Sequence, residues 1–226
     1  KIYPQSIPVI DLKANINLTL GKPNKKNSKF VIESINQAFE LVYNNKASGM
    51  ITLPVCKKTL KEAKFNFNGQ TEYLSYLTTK RTQTKHSEIM ILTTTKPLDN
   101  GKDLIVGLIT THIPLREIHK TLNKKKILEK ILSFRNSLSK LWKKKSPGIG
   151  ITSINPHAGE DGMLGKQDSE VIAPAIADMK KNKILVDGPV PADTAFLKKY
   201  IENYDIILTM YHDQGLPVIK FNNFRK

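Results

Sequence analysis

Three of the five histidines in the sequence occupy equivalent positions, each shortly after an apolar run of the chain. They are His112, His157 and His212. If the apolar runs are parallel strands of one sheet, their carboxyl ends lie at the same edge and present the three imidazoles together. Three imidazoles suit a divalent transition metal and leave coordination positions open for a substrate. The other interpretation, a solvated or hydrogen-bonded loop side chain in each case, stays open, and His86 and His119 are assigned to the surface.

Glycine, acidic and basic residues lie near these histidines in the sequence. The glycine-rich loop 159–162 follows His157, and its backbone is free to approach a ligand. Asp193 follows a proline-rich turn, where it either serves the site or caps a helix. Lys220, eight residues after His212, is a point charge for a phosphate or carboxylate, although the abundance of lysine gives it no special weight.

The hydrophobic pattern indicates which elements position these residues. Short apolar runs alternate with amphipathic segments, which is typical of an α/β domain with a largely parallel sheet. Strands are predicted at 49–55, 88–94, 103–111, 148–154, 184–186 and 205–210, and helices at 28–45, 115–120, 124–145, 168–181 and 193–204. A polar loop is predicted at 96–102.

Composition restricts the class of protein. The 226 residues carry 36 Lys+Arg against 20 Asp+Glu, a net charge of +16, with enough apolar content for a core. Only four basic residues are arginine, and the lysines lack aromatic interleaving, so solvated surfaces are favoured over nucleic-acid binding. No apolar run approaches the roughly 20 residues that span a bilayer. The single cysteine, Cys56, excludes an intrachain disulfide and predicts a cytoplasmic protein.

Five short motifs occur in an order that resembles one known family. They are Gly-Gln-Thr-Glu-Tyr at 69–73, Thr-Thr-His-Ile-Pro-Leu at 110–115, Asn-Pro-His-Ala-Gly-Glu at 155–160, Gly-Pro-Val-Pro-Ala-Asp-Thr at 188–194 and Tyr-His-Asp-Gln-Gly-Leu-Pro-Val-Ile-Lys at 211–220. Together they resemble the 4-hydroxythreonine-4-phosphate dehydrogenase (PdxA) family of pyridoxal 5′-phosphate biosynthesis. The resemblance extends from about Thr52 to Lys220.

The resemblance implies a three-layer α/β/α fold similar to isocitrate and isopropylmalate dehydrogenases, with two domains and an interdomain cleft at the interface of a homodimer. Residues 1–75 would be part of a discontinuous first domain, 76–220 the second domain with the metal-ligand loops, and 221–226 the return to the first domain. Because family sequences extend beyond both ends of this one, we expect the chain to be the central portion of a longer enzyme.

The resemblance also assigns residue roles. His112, His157 and His212 match metal ligands drawn from both subunits, with zinc, magnesium or cobalt as the divalent ion. Thr71 and Lys220 match substrate-binding positions.

Three further positions are candidates within that framework. Gln70 stands where the family pattern has histidine, and it can donate to a phosphate or carboxylate without carrying charge. Asp213 and Asp193 are candidates for general acid/base catalysis or for orienting a ligand histidine.

The implied activity is oxidation of the 3-hydroxyl of 4-phosphooxy-L-threonine by NAD or NADP, followed by decarboxylation to 3-amino-2-oxopropyl phosphate. Two alternatives remain. One is a related dehydrogenase of another phosphorylated hydroxy acid, such as threonate 4-phosphate. The other is a non-catalytic anion-binding remnant, which would bind nucleic acid or other anions in a salt-sensitive way.

Overall fold

The structure is a computed structural model that describes residues 6–67, 69–84, 86–94 and 103–223. The predicted loop at 96–102 lies outside the described residues. The chain forms two compact units, Lys1–Glu88 and Ile89–Lys226. The three-part domain division expected from the family resemblance stays a prediction.

The first unit is helical in its described residues. It contains α1 (Ser28–Tyr43), α2 (Lys57–Glu62) and α3 (Gln70–Thr82), and a short 3-10 turn precedes α1. Its small core consists of Ile35, Leu60, Phe65 and Tyr73. The helix predicted at 28–45 is confirmed.

The strand predicted at 49–55 is wrong. These residues are irregular, and the side chains of Ile51 and Leu53 are 98% and 80% exposed. A strand needs a neighbour for its backbone hydrogen bonds, and the described part of the first unit contains no strand to pair with. The apolar pattern alone did not reveal this.

The second unit is built on a five-stranded mixed sheet. Its strands are β1 (Met90–Thr93), β2 (Ile105–Leu108), β3 (Ile149–Thr152), β4 (Val186–Val190) and β5 (Ile206–Thr209). They lie in the order β1-β2-β5-β3-β4, with β1 antiparallel to β2 and the other neighbours parallel. The predicted α/β class and largely parallel sheet are confirmed.

Helices connect these strands. They are α4 (Leu115–Thr121), α5 (Lys124–Leu141), α6 (Ala173–Lys181), α7 (Lys198–Ile201) and α8 (His212–Asn223), with a π-helical turn Asp168–Ile172 leading into α6. The core lies where α5 and α6 pack on the central strands. Gly107 in β2 leaves room for Phe134 of α5, since a Cβ at residue 107 would lie 2.6 Å from that ring.

Two predicted elements differ from the structure. The strand predicted at 184–186 lies at Val186–Val190 instead, because β4 is an edge strand and tolerates Pro189, which cannot donate a backbone hydrogen bond. The helix predicted at 193–204 is reduced to Lys198–Ile201, and hydrogen-bonded turns take the place of its first half. None of the helices in the described residues is long and apolar enough to cross a membrane.

Candidate active site

The carboxyl ends of β2 and β5 bring two histidines together. Parallel pairing continues past both strands, since the N–H of Ile109 donates to Thr209 and that of Thr110 donates to Met210. The Thr110 hydroxyl donates to the same Met210 carbonyl at 2.6 Å. Two residues further along each segment lie His112 and His212, whose ring centroids are 5.3 Å apart. The sheet therefore presents a pair of imidazoles at its carboxyl edge.

The His212 ring contacts the carboxylate of the next residue. Nδ1 of His212 lies 2.9 Å from Oδ1 of Asp213. Because a carboxylate accepts hydrogen bonds, the tautomer that fits this contact carries its proton on Nδ1, and in that tautomer the lone pair of Nε2 faces another partner. The His212 side chain is 27% exposed and that of Asp213 is 73% exposed, so the pair lies at the surface of this unit. Asp213 is therefore in direct contact with the His212 ring.

His157 lies apart from this pair. It is exposed, on the loop that follows β3, and among the described side chains no ring contact joins His157 to either His112 or His212. Across the part of the chain that the structure describes, no group of three or more His, Cys, Asp or Glu side chains could hold a metal ion. A single chain thus brings two of the three predicted ligands together.

The loop that carries His157 has an unusual backbone. Six consecutive residues, 157–162, have positive φ, and only two of them are glycine. Left-handed conformations cost about 1–2 kcal/mol per non-glycine residue. At Gly159 the geometry requires glycine, because a Cβ there would lie 2.6 Å from the carbonyl oxygen of Gly165.

A buried carboxylate anchors the start of this loop. Asp168 is 1% exposed, and its Oδ1 accepts the N–H of Ile154 at 2.8 Å. Its Oδ2 accepts the backbone N–H of Asn155 at 3.1 Å and the side-chain Nδ2–H at 2.9 Å. Asp168 was not among the residues predicted from the sequence. The available signal was an acid at the start of the helical segment after a glycine-rich loop.

The remaining candidates of the second unit are exposed. Asp193 lies in a turn, and α7 has Leu197 as its N-cap residue, so the capping role considered for Asp193 is wrong. Lys220 lies on α8 with an exposed side chain. Both are accessible to a ligand.

Gln70 and Thr71 belong to the first unit and begin α3. The Gln70 amide accepts a hydrogen bond from the Thr52 hydroxyl at 3.2 Å and donates to the carbonyl of Leu53 at 3.3 Å. Thr71 is exposed in the first turn of the helix. Gln70 therefore joins the start of α3 to the exposed segment around residue 53.

A cleft of about 570 Å³ lies apart from the histidines and is lined by a cluster of three polar side chains, Lys180, Asp187 and Tyr204. The Tyr204 hydroxyl donates to Asp187 at 2.8 Å, and Nζ of Lys180 lies 3.2 Å from the same carboxylate. The hydrogen bond from Tyr204 holds the pKa of Asp187 below its usual value. Burial, followed by the carboxylate of Asp187, raises the pKa of Tyr204. These contacts join β4 to α6 and to the residues just before β5.

The sequence profile of a known family, described as "Pyridoxal phosphate biosynthetic protein PdxA", matches residues 1–226. A 4-hydroxythreonine-4-phosphate dehydrogenase of Wigglesworthia glossinidia brevipalpis is 36% identical over 220 residues, which cover 97% of this chain and 63% of the relative. One of Colwellia psychrerythraea is 36% identical over 219 residues, covering 97% and 64%. The chain thus spans less than two thirds of the length of these relatives.

Solved structures give the same result. The crystal structure of 4-hydroxythreonine-4-phosphate dehydrogenase from Klebsiella pneumoniae matches with a TM-score of 0.80 and 32% identity, over 92% of this chain and 60% of that one. A 4-hydroxythreonine-4-phosphate dehydrogenase from Burkholderia phymatum matches with a TM-score of 0.79 and 29% identity, covering 97% and 63%. The resemblance inferred from five short motifs is confirmed: the chain belongs to the PdxA family of pyridoxal phosphate biosynthetic proteins.

Proposed function

We propose that the protein is a 4-hydroxythreonine-4-phosphate dehydrogenase. NAD or NADP accepts a hydride from C3 of 4-phosphooxy-L-threonine, and the C3 hydroxyl loses its proton, which leaves a β-keto acid. The bond between C1 and C2 then breaks to release CO2, and a proton adds to C2 to give 3-amino-2-oxopropyl phosphate. The observation that supports this proposal most strongly is the His112–His212 pair at the carboxyl edge of a sheet, in a chain of this family.

The histidine pair fits a divalent metal. Two imidazoles at 5.3 Å between centroids, with Nδ1 of His212 occupied by Asp213, leave a ring nitrogen directed away from the carboxylate. Imidazole suits zinc or cobalt, while magnesium prefers oxygen ligands. The metal would polarise the substrate hydroxyl and lower its pKa. We propose that His157 of a second copy of the chain completes the ligand set in a homodimer.

We assign different roles to the two candidate carboxylates of the second unit, Asp213 and Asp193. Asp213 orients His212, because its Oδ1 accepts the Nδ1–H of that ring. Asp193 is exposed in a turn, where no helix cap engages it, and it is the candidate to accept the hydroxyl proton.

The phosphate and carboxylate of the substrate need cationic and neutral donors. We assign Lys220 as a point charge and Thr71 and Gln70 as donors. Long-range attraction by the net charge of +16 accelerates encounter with such an anion.

The wider architecture belongs to the same proposal. We infer three α/β/α layers and two domains with an interdomain cleft. The first domain would include residues 1–75 and the second 76–220, with 221–226 returning to the first. The site would lie at the interface of a cytoplasmic homodimer.

The test is formation of reduced nicotinamide by the complete protein with 4-phosphooxy-L-threonine and a divalent metal. Loss of a residue that hydrogen-bonds to a metal ligand lowers activity by up to about 100-fold. His112→Ala and His212→Ala remove a ligand itself, so each should lower the rate by more than that. His119→Ala is the matched control, because His119 is an exposed histidine on α4 of the same unit. Equal rates for His112→Ala and His119→Ala would contradict the proposal.

A second substrate is favoured by one residue. Gln70 replaces the histidine of the family pattern, and its amide is held by Thr52 and Leu53. A neutral amide makes weaker contacts with an anionic group than a protonated imidazole does. A panel of phosphorylated threonine and threonate isomers separates the two activities, and a higher kcat/KM for threonate 4-phosphate would favour the alternative.

A further inference from the structure

One side chain joins the turn that carries His212 to the end of β3. Gln214 lies in the first turn of α8, and its Oε1 accepts the N–H of Met210 at 2.8 Å and the hydroxyl of Thr152 at 2.7 Å. Its Nε2 donates to the carbonyl of Ser153 at 2.6 Å. Both ends of the amide are therefore used.

The groups that Gln214 contacts are buried, and the Gln214 side chain itself is partly exposed. Met210, Thr152 and Ser153 each have 0% exposure. Removing the Gln214 amide leaves the Met210 N–H and the Ser153 carbonyl without this partner in a buried place, and each unsatisfied group costs about 1–3 kcal/mol. The structure can avoid that cost only by moving the turn or admitting water.

The neighbouring glycine holds the same turn against the sheet. A Cβ at Gly215 would lie 2.7 Å from Cγ1 of Val106 and 2.8 Å from Oγ1 of Thr209, so the backbone of α8 packs directly on β2 and β5. The turn that carries His212 is thus held by two sets of contacts. Gln214 hydrogen-bonds to the end of β3, and Gly215 packs against β2.

We propose that Gln214 is a positioning residue that holds His212 where its ring meets His112. The inference rests on the proposed function, in which these two imidazoles bind the metal. Met210 is two residues before His212 and Gln214 two residues after it, so the hydrogen bond between them closes the turn that carries the ring. Through Thr152 and Ser153 that turn is also tied to the end of β3.

Two kinds of variant test the assignment in the complete protein. Gln214→Met keeps side-chain length and removes every polar contact, and Gln214→Glu keeps the acceptor but places an oxygen against the Ser153 carbonyl. Thr152→Val removes a single hydroxyl, and Thr152→Ser restores it. Gln37→Met is the control, because Gln37 is exposed on α1.

The readouts separate positioning from general stability. We expect Gln214→Met, Gln214→Glu and Thr152→Val to lower the affinity for Zn²⁺ or Co²⁺, measured by calorimetry, by about 10–100-fold. Thr152→Ser and Gln37→Met should bind as the wild type does. At saturating metal, kcat should fall more than KM rises. Wild-type metal affinity in a Gln214→Met protein that is merely less stable in urea would overturn the proposal.

A crystal structure of Gln214→Met gives a readout independent of metal and activity. A separation of the His112 and His212 rings that differs from that in a wild-type crystal supports the positioning role, and the same separation in both crystals overturns it. If the Met variant does not fold, Thr152→Val decides by the same criterion. Absence of metal binding in the wild type would defeat the proposed function and leave the crystallographic result to decide the role of Gln214.

Discussion

Replacing Asp168 by asparagine tests how the His157 loop is held. The carboxylate is almost fully buried and accepts three N–H donors, one at Oδ1 and two at Oδ2. Asparagine has the same shape but only one acceptor oxygen. Whichever way its amide points, an NH2 group faces a donor that previously had an acceptor.

The magnitude follows from counting those bonds. The favoured orientation of the introduced amide places its oxygen at the former Oδ2, which keeps the two bonds from Asn155 and loses the one from Ile154. A hydrogen bond to a charged group contributes about 1.5–3 kcal/mol, and the two retained bonds weaken because the acceptor is neutral. We expect the free energy of unfolding to fall by about 2–4 kcal/mol.

Urea denaturation at fixed protein concentration measures this change. Asp161→Asn is the matched control, since it removes the same charge from an exposed residue of the same loop. Its backbone is left-handed (φ 53°), a conformation that asparagine adopts readily, so it should change stability by less than about 0.5 kcal/mol. An Asp168→Asn protein as stable as the Asp161→Asn control would show that the Asp168 carboxylate does not hold this loop.

Three further predictions concern the sheet and the histidine pair. Gly107→Ala should lower the free energy of unfolding by about 1–3 kcal/mol in urea, because the new methyl group meets buried side chains at 2.6 Å. The Tyr204 hydroxyl lowers the pKa of Asp187 in the folded protein, so the hydrogen bond between them stabilises the fold above the ordinary Asp pKa of about 4. This stabilisation is lost as the pH falls through the lowered pKa of the folded state. The urea midpoints of the wild type and Tyr204→Phe should therefore differ at neutral pH and converge in acid. Asp213→Asn should weaken Zn²⁺ binding by about 10-fold in calorimetry, because a neutral amide orients His212 less strongly, and unchanged binding would refute the orienting role.

The parts of the fold that the sequence predicted are those that depend on local pattern. The apolar runs before His112 and His212 are central strands that pair in parallel, so the residues after them lie at the same end of the sheet, and here the two rings meet. The position of His157 was not predictable in the same way, because a left-handed run of mostly non-glycine residues redirects the chain after β3.

Other features depended on contacts distant in sequence. The apolar segment at 49–55 has strand periodicity, but the described first unit offers no strand beside it. The contacts of Asp168 and Gln214 could not be predicted from the sequence, because their partners include backbone groups that come close to these side chains only in the folded chain. The extent of β4 was not predicted because Pro189 argues against a strand unless the strand lies at the edge of a sheet, and that position is known only from the fold.

The most direct test of a metal-dependent dehydrogenase that requires His212 is the rate of nicotinamide reduction by the complete protein with 4-phosphooxy-L-threonine. The rate is measured without and with added Zn²⁺ or Co²⁺, in the wild type and in His212→Ala. We expect metal-dependent turnover in the wild type, which His212→Ala abolishes and His119→Ala retains. Turnover in His212→Ala equal to that of the wild type, or no turnover in the wild type with any divalent metal, would contradict the proposed function.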